Sequence, residues 1–175
     1  MIILPTTYLG STDWYREYLA NPAETFIEVM ESFPKQTYRN RCTITTPDGP
    51  LTLSVPVKRA DSKQLTRDVE ISYQQRWQHQ HWIALMSAYK RTPYFDYYAD
   101  FFRPFYEKET KYLIDLNEGL HQTIVALLKN DTTIIQQKTA YTADWQGLDI
   151  EKSFGHGQCI LDMLFEYGPE TVIKI

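Results

Sequence analysis

Cysteine is scarce in this chain: two residues, Cys42 and Cys159, in 175. They lie far apart and show neither a CxxC pair nor a zinc-ligand spacing. Two free thiols in a reducing cytoplasm is the direct reading, with pairing left to distances. A basic excess is missing too, since the net charge is -4 and the pI near 5.6. That argues against a general nucleic-acid binder, which needs a basic surface to meet phosphates. No stretch approaches the roughly 20 apolar residues of a membrane helix. "MIILPTTYLG" lacks the basic start and long apolar run of a leader. Repeats, low-complexity tracts and Gly/Ser linkers are absent. So are GxGxxG, Walker, GxSxG, HExxH and EF-hand patterns, and no cofactor or metal is expected. These absences point to a soluble cytoplasmic protein that inserts in no membrane.

Aromatics are plentiful, at 14 % with 13 Tyr. Most belong to a core; some can line a cleft with a polar tip. The length suits one domain over 1–175. Strands are expected at "MIIL", at "TFIEVM" (25–30), at "DVEI" (68–71), at "TTIIQQ" (132–137) and in the final "TVIKI". Ser11 or Thr12 caps a helix to about Ala20 that "NP" ends. Further helices are expected over 75–90, from Pro93 with a break or restart at Pro104, over 111–130 with Asn130 as its stop, and over 158–169, closed by Gly168 and Pro169. The fold class is therefore α/β, with helices on a mixed sheet.

"TYRNRCTITTPDGPLTLSVPVKR" (37–59) reads as an antiparallel hairpin spanning about 39–58 around "PDGP". With Thr46 opposite Leu51, one face carries Cys42, Ile44, Leu51, Leu53, Val55 and Val57. The other carries Arg39, Arg41, the Thr and Ser residues and Lys58. Arg39 then faces Lys58, with Arg41 beside them. Like charges so placed repel by up to about 1 kcal/mol. Either a bound anion neutralises them, or Asp68, Glu70 or a helix acid does. Arg59 falls by alternation on the opposite face, so at most three of the four cations share one site.

His79 and His81 sit two apart on a helix and point about 200° apart, so they do not chelate one ion. His81 shares a face with Trp77. It reads first as a core histidine and second as the best titratable candidate for a base. His121 borders the leucine stripe of its helix, and His156 sits in the "FGHGQ" loop. Cys42 lies on the core face. Cys159 opens the last helix, where a thiol's pKa can fall, though a small buried residue is the preferred reading.

"YRNRCTITTPDGPLTLSVPVKR" with "DVEI", then "WQHQHWIALMSAYKRTPYFDYYADFF", then "CILDMLFEYGPE", resemble the WbqC-like protein family from about residue 5 to 170. Asn40, Arg41, Lys58 and Arg59 match its hairpin motif, and His81, Trp82, Tyr94 and Phe95 its second block. The resemblance implies a bacterial cytoplasmic protein of O-antigen or capsule (lipopolysaccharide) biosynthesis. It implies a transferase moving an acyl or aminoacyl group onto a nucleotide-linked amino sugar. On that reading Arg39, Arg41, Lys58 and Arg59 hold an anionic small-molecule ligand such as a nucleotide-sugar. Asn40 orients substrate or donates to an oxyanion. His81 is the base, and Tyr8, Tyr94 and Tyr98 form an aromatic wall. One departure stands out. Family members begin with a strand and His-Gln-Pro-x-Tyr-Leu-Pro, whereas this chain reads "ILPTTYLGS". Pro5 and Tyr8-Leu9 fit; Leu4 and its neighbour replace the His-Gln pair. That loss favours the other class of function, a non-catalytic binding or assembly protein.

Overall fold

The computed structural model describes residues 2–58, 63–129, 141–142 and 157–175. The expected strand at 132–137, Arg59, Asn130 and His156 lie outside them.

The chain opens with a βαβ unit. Strand β1 (Ile2–Pro5) leads through helix α1 (Thr12–Ala20) to β2 (Thr25–Glu28). The two strands pair in parallel from Ile2 opposite Thr25 to Pro5 opposite Glu28. Strand β5 (Tyr141–Thr142) joins the far side of β2, also parallel, giving the order β1-β2-β5. Ser11 caps α1 as expected, accepting from the Trp14 N–H at 3.2 Å. Trp14 and Tyr15 turn inward, and the Trp14 indole donates to the Pro5 carbonyl, holding α1 to the end of β1.

Strands β3 (Arg41–Thr46) and β4 (Gly49–Ser54) form the antiparallel hairpin as a separate two-stranded sheet. Its register corrects the expectation. Thr46 faces Gly49 and Arg41 faces Ser54, so the turn has two residues, Pro47 and Asp48. Gly49, at φ +114°, starts β4 directly after that turn, a backbone shape glycine adopts freely. The slip is two residues, the side-chain period, so the faces survive: Cys42, Ile44, Leu53 and Val55 are buried. Leu51, near the tip, is exposed.

Residues 69–71 are not the regular strand expected. They make single bridges, Val57 to Ile71 on one side and Glu70 to Tyr112 on the other, with Val69 and Ile71 buried. This links the hairpin to the helices α2 (Trp77–Tyr89), α3 (Phe95–Glu107) and α4 (Leu113–Leu128). Helix α4 is buried nearly all round, which marks it as the central helix of the core. Helix α3 runs through Pro104, whose missing N–H leaves the carbonyl of exposed Asp100 to water. Helix α5 (Ile160–Tyr167) ends at Gly168, φ +55°. The closing "TVIKI" is a short helix, α6 (Thr171–Lys174), rather than a strand. Buried Thr171 bonds the Met163 carbonyl, which turns the chain helically back against α5 and leaves Ile173 in solvent. No helix among the described residues is long and apolar enough to cross a membrane.

Candidate functional site

Among the described residues, Arg39, Arg41 and Lys58 do not share one site. Arg39 precedes β3 and turns inward, where its guanidinium grips the Glu31 carboxylate with two bonds. Lys58 pairs with Glu70, joined by Lys111 at 3.8 Å, in a separate cleft of about 610 Å³. Lys58 holds Glu70 below the usual carboxylate range by hydrogen bonding and charge. The two-residue register shift and the inward turn of Arg39 separate the pair that would have faced each other. For these two cations, internal pairing is the observed outcome.

Arg41 behaves differently. It is the first residue of β3, and its Nε is buried with no hydrogen-bond partner. It lines a cleft of about 340 Å³ made by three segments. The first is the loop after β1, Tyr8 to Ser11. The second is Tyr38 with Arg41, Cys42, Thr43 and Thr45. The third is Gly157–Cys159 with Asp162, at the start of α5.

The loop after β1 is pinned on both sides. The Tyr8 N–H donates to the Tyr38 carbonyl, the Ile160 N–H to the Gly10 carbonyl and the Thr12 N–H to the Gln158 carbonyl. Between these ties Leu9 is held at φ +50°, a backbone region that costs a non-glycine residue on the order of 1–3 kcal/mol. Its carbonyl accepts the Cys159 thiol at 3.4 Å. Asp162 forms the floor. Its carboxylate accepts the Thr45 N–H and hydroxyl at 3.1 and 2.9 Å and the Tyr89 hydroxyl at 2.6 Å.

His81 lies behind this cleft, not in it. Its Nδ1 is 2.8 Å from the Tyr8 hydroxyl, which also meets the Tyr106 hydroxyl at 2.9 Å. The ring also bonds the Ser54 carbonyl. With an imidazole N–H donating to Ser54, the Nδ1 lone pair accepts from Tyr8, a neutral tautomer fixed by its partners. Burial lowers the His81 pKa to about 4. His79, on the same helix, is exposed on another face. Among the described residues no cluster of three His, Cys, Asp or Glu side chains is placed to hold a metal ion.

Asn40 is buried, with its side-chain amide donating to the Val55 carbonyl, so it fastens the strand ends together. Tyr94 and Tyr98 stack on each other at 5.6 Å, with the Tyr94 ring over Gly168 at the end of α5. They do not join Tyr8 in one wall of this cleft. Of the residues proposed from sequence, Tyr8 and Arg41 meet here. Ser11, Tyr38, Thr45, Cys159 and Asp162 are the additions. The "ILD" stretch carried Asp162, but nothing local to it signals a partner 117 residues away.

No curated protein and no solved structure matches the chain. The model of the WbqC-like protein family matches residues 18–158, across the hairpin and α2 to α4, and the chain belongs to that family.

Proposed function

We propose that this protein binds a small anionic, hydroxyl-rich molecule of the nucleotide-sugar class in the Arg41 cleft, and serves the biosynthesis of bacterial surface polysaccharide. One observation carries the binding: a guanidinium Nε, buried in the wall of a polar cleft, without a partner. Buried donors are almost always satisfied, and a phosphate or carboxylate is the natural complement of an arginine. The volume lies low in the range of ligand pockets, about 300–1,000 Å³. It suits a phosphorylated sugar, with any nucleoside extending outward. Family membership supports the biosynthetic setting.

Acyl or aminoacyl transfer to the sugar's amine is the reaction that goes with this reading. Arg41 neutralises the phosphate, and the sugar lies along the polar wall of the same cleft. A second reading, binding without chemistry, is favoured by the position of His81. A base must reach the proton it removes, and this ring is committed to Tyr8 and Ser54.

Thermal shift decides the binding. Nucleotide-sugars, phosphate, acyl-coenzyme A and amino acids are screened against the wild type, Arg41→Ala and Lys58→Ala. A ligand at a hundred times its dissociation constant adds about 2.7 kcal/mol. The expected result is a shift in wild type and Lys58→Ala that disappears in Arg41→Ala. A shift that survives Arg41→Ala moves the site elsewhere. Mass analysis of a mixture of the bound sugar with acyl donors then separates transfer from binding alone.

A further inference from the structure

Cys42 lies in β3, and Cys159 is the residue that caps the start of α5. Both are free thiols, exposed by only 4 % and 3 %. Both nevertheless line the Arg41 cleft, one on each of two facing segments. Cys159 is near enough to Cys42 to add to burial in pushing the Cys42 thiol up. Cys159 is further aimed by its bond to the Leu9 carbonyl, on a backbone held in the left-handed region. Two thiols on facing segments of one solvent-connected cleft do more than fill volume. They form a dithiol that a small oxidant can reach.

We propose that Cys42 and Cys159 are a redox-active dithiol that hydrogen peroxide converts reversibly into a disulfide joining β3 to α5. The electrons balance in two steps. The Cys159 sulphur attacks one peroxide oxygen, the O–O bond breaks, and the departing oxygen leaves as water with the thiol proton, giving a sulfenic acid. The Cys42 sulphur then attacks the oxidised sulphur, an S–S bond replaces the S–O bond, and a second water carries away the remaining proton. Two electrons pass from the sulphurs to the peroxide. Cys159 takes the first step because burial and the neighbouring sulphur push the Cys42 thiol well up, keeping it protonated. Arg41, next to Cys42 in the chain, shares the cleft wall with the new bond, so the oxidised cleft differs from the reduced one where the anion would sit.

The test uses the folded full-length protein and dilute hydrogen peroxide, followed by thiol counting after denaturation and by intact mass. The expected wild-type result is loss of both thiols, a mass lower by two hydrogens, a Cys42–Cys159 linked peptide, and full reversal by dithiothreitol. In Cys42→Ala the sulfenic acid has no partner and is trapped by dimedone at Cys159. In Cys159→Ala no trapping occurs at Cys42. The proposal is overturned if the folded wild type keeps both thiols under conditions that oxidise a free thiol in the same tube. It is also overturned if the bridge joins two chains, or forms only in urea. The wild-type measurement stands even if neither variant folds, and it does not depend on any sugar binding.

Discussion

Two arginines two residues apart, Arg39 and Arg41, have opposite roles. Arg39 is buried and bidentate to the part-exposed Glu31, so removing it opens space in the interior and leaves that carboxylate without its cation. Breaking a fully buried pair costs about 3–5 kcal/mol, and the partial exposure of Glu31 places this loss below that range. Arg39→Ala is therefore expected to melt below wild type, by more than about 1 kcal/mol. Arg41 has nothing to lose at its orphaned Nε, so Arg41→Ala is expected to melt within about 0.5 kcal/mol of wild type, the range of substitutions away from structural contacts. Equal melting losses in urea titrations of the two variants would contradict this division. The histidines give a second prediction. His81 and His121 both titrate near 4 rather than 6.5, because burial opposes the cation. His121 has no partner on either ring nitrogen and sits among Trp14, Tyr15 and Tyr18, with Glu118 opposing the shift and Lys129 adding to it. Between pH 6.5 and 4 the unfolded chain binds these protons and the native chain does not. Stability therefore falls as pH drops through that window, by on the order of 3 kcal/mol for each histidine at about 1.4 kcal/mol per unit. His121→Phe is expected to give a shallower decline of Tm from pH 6.5 to 4. An unchanged profile would mean that His121 is not part of the acid response.

At the scale of elements, the helix ends were readable because their chemistry is local. Ser11 caps α1, and Gly168 stops α5. The Gly168 stop is also a contact: a methyl group there would lie 2.4 Å from the Tyr94 ring, at a backbone φ of +55°. Gly168→Ala is expected to cost about 1–3 kcal/mol from crowding, plus the strain of its backbone. A calorimetric Tm equal to wild type would show that Tyr94 moves aside without cost. The hairpin was half readable. Alternation fixed its faces, since a slip of two residues leaves every side chain on its own side. It could not fix which residues meet, because that follows from the turn length, and Gly49 made the turn tight. "TVIKI" failed for another reason. Its β-branched residues favour a strand, but the Gly168–Pro169 turn and the Thr171 bond to Met163 set the direction of the chain first.

The cleft belongs to the whole molecule, and that is why the sequence did not show it. It forms where the loop after β1, the hairpin and α5 converge, and the group that joins them is Asp162. One carboxylate on α5 takes two bonds from Thr45 in β3 and one from Tyr89 at the end of α2. Burial and nearby Cys159 and Asp162 push the Tyr89 hydroxyl far up, so it stays a donor to Asp162 at any physiological pH. Three donors converge on one acceptor group, and their loss should be cooperative. Asp162→Asn places an amide N–H against groups that are themselves donors, which leaves part-buried donors unsatisfied at about 1–3 kcal/mol. Tyr89→Phe removes one donor and leaves the carboxylate its two bonds from Thr45, so its cost should be about 1 kcal/mol. In a double-mutant cycle the pair should lose less than the sum of the singles, with a coupling of at least about 0.5 kcal/mol, because both substitutions break the same bond. Strict additivity in denaturant midpoints would mean that α2 and α5 are held by packing alone. The cleft would then owe its shape to the apolar contacts of Phe165 with Tyr89 and Phe95 rather than to its polar floor.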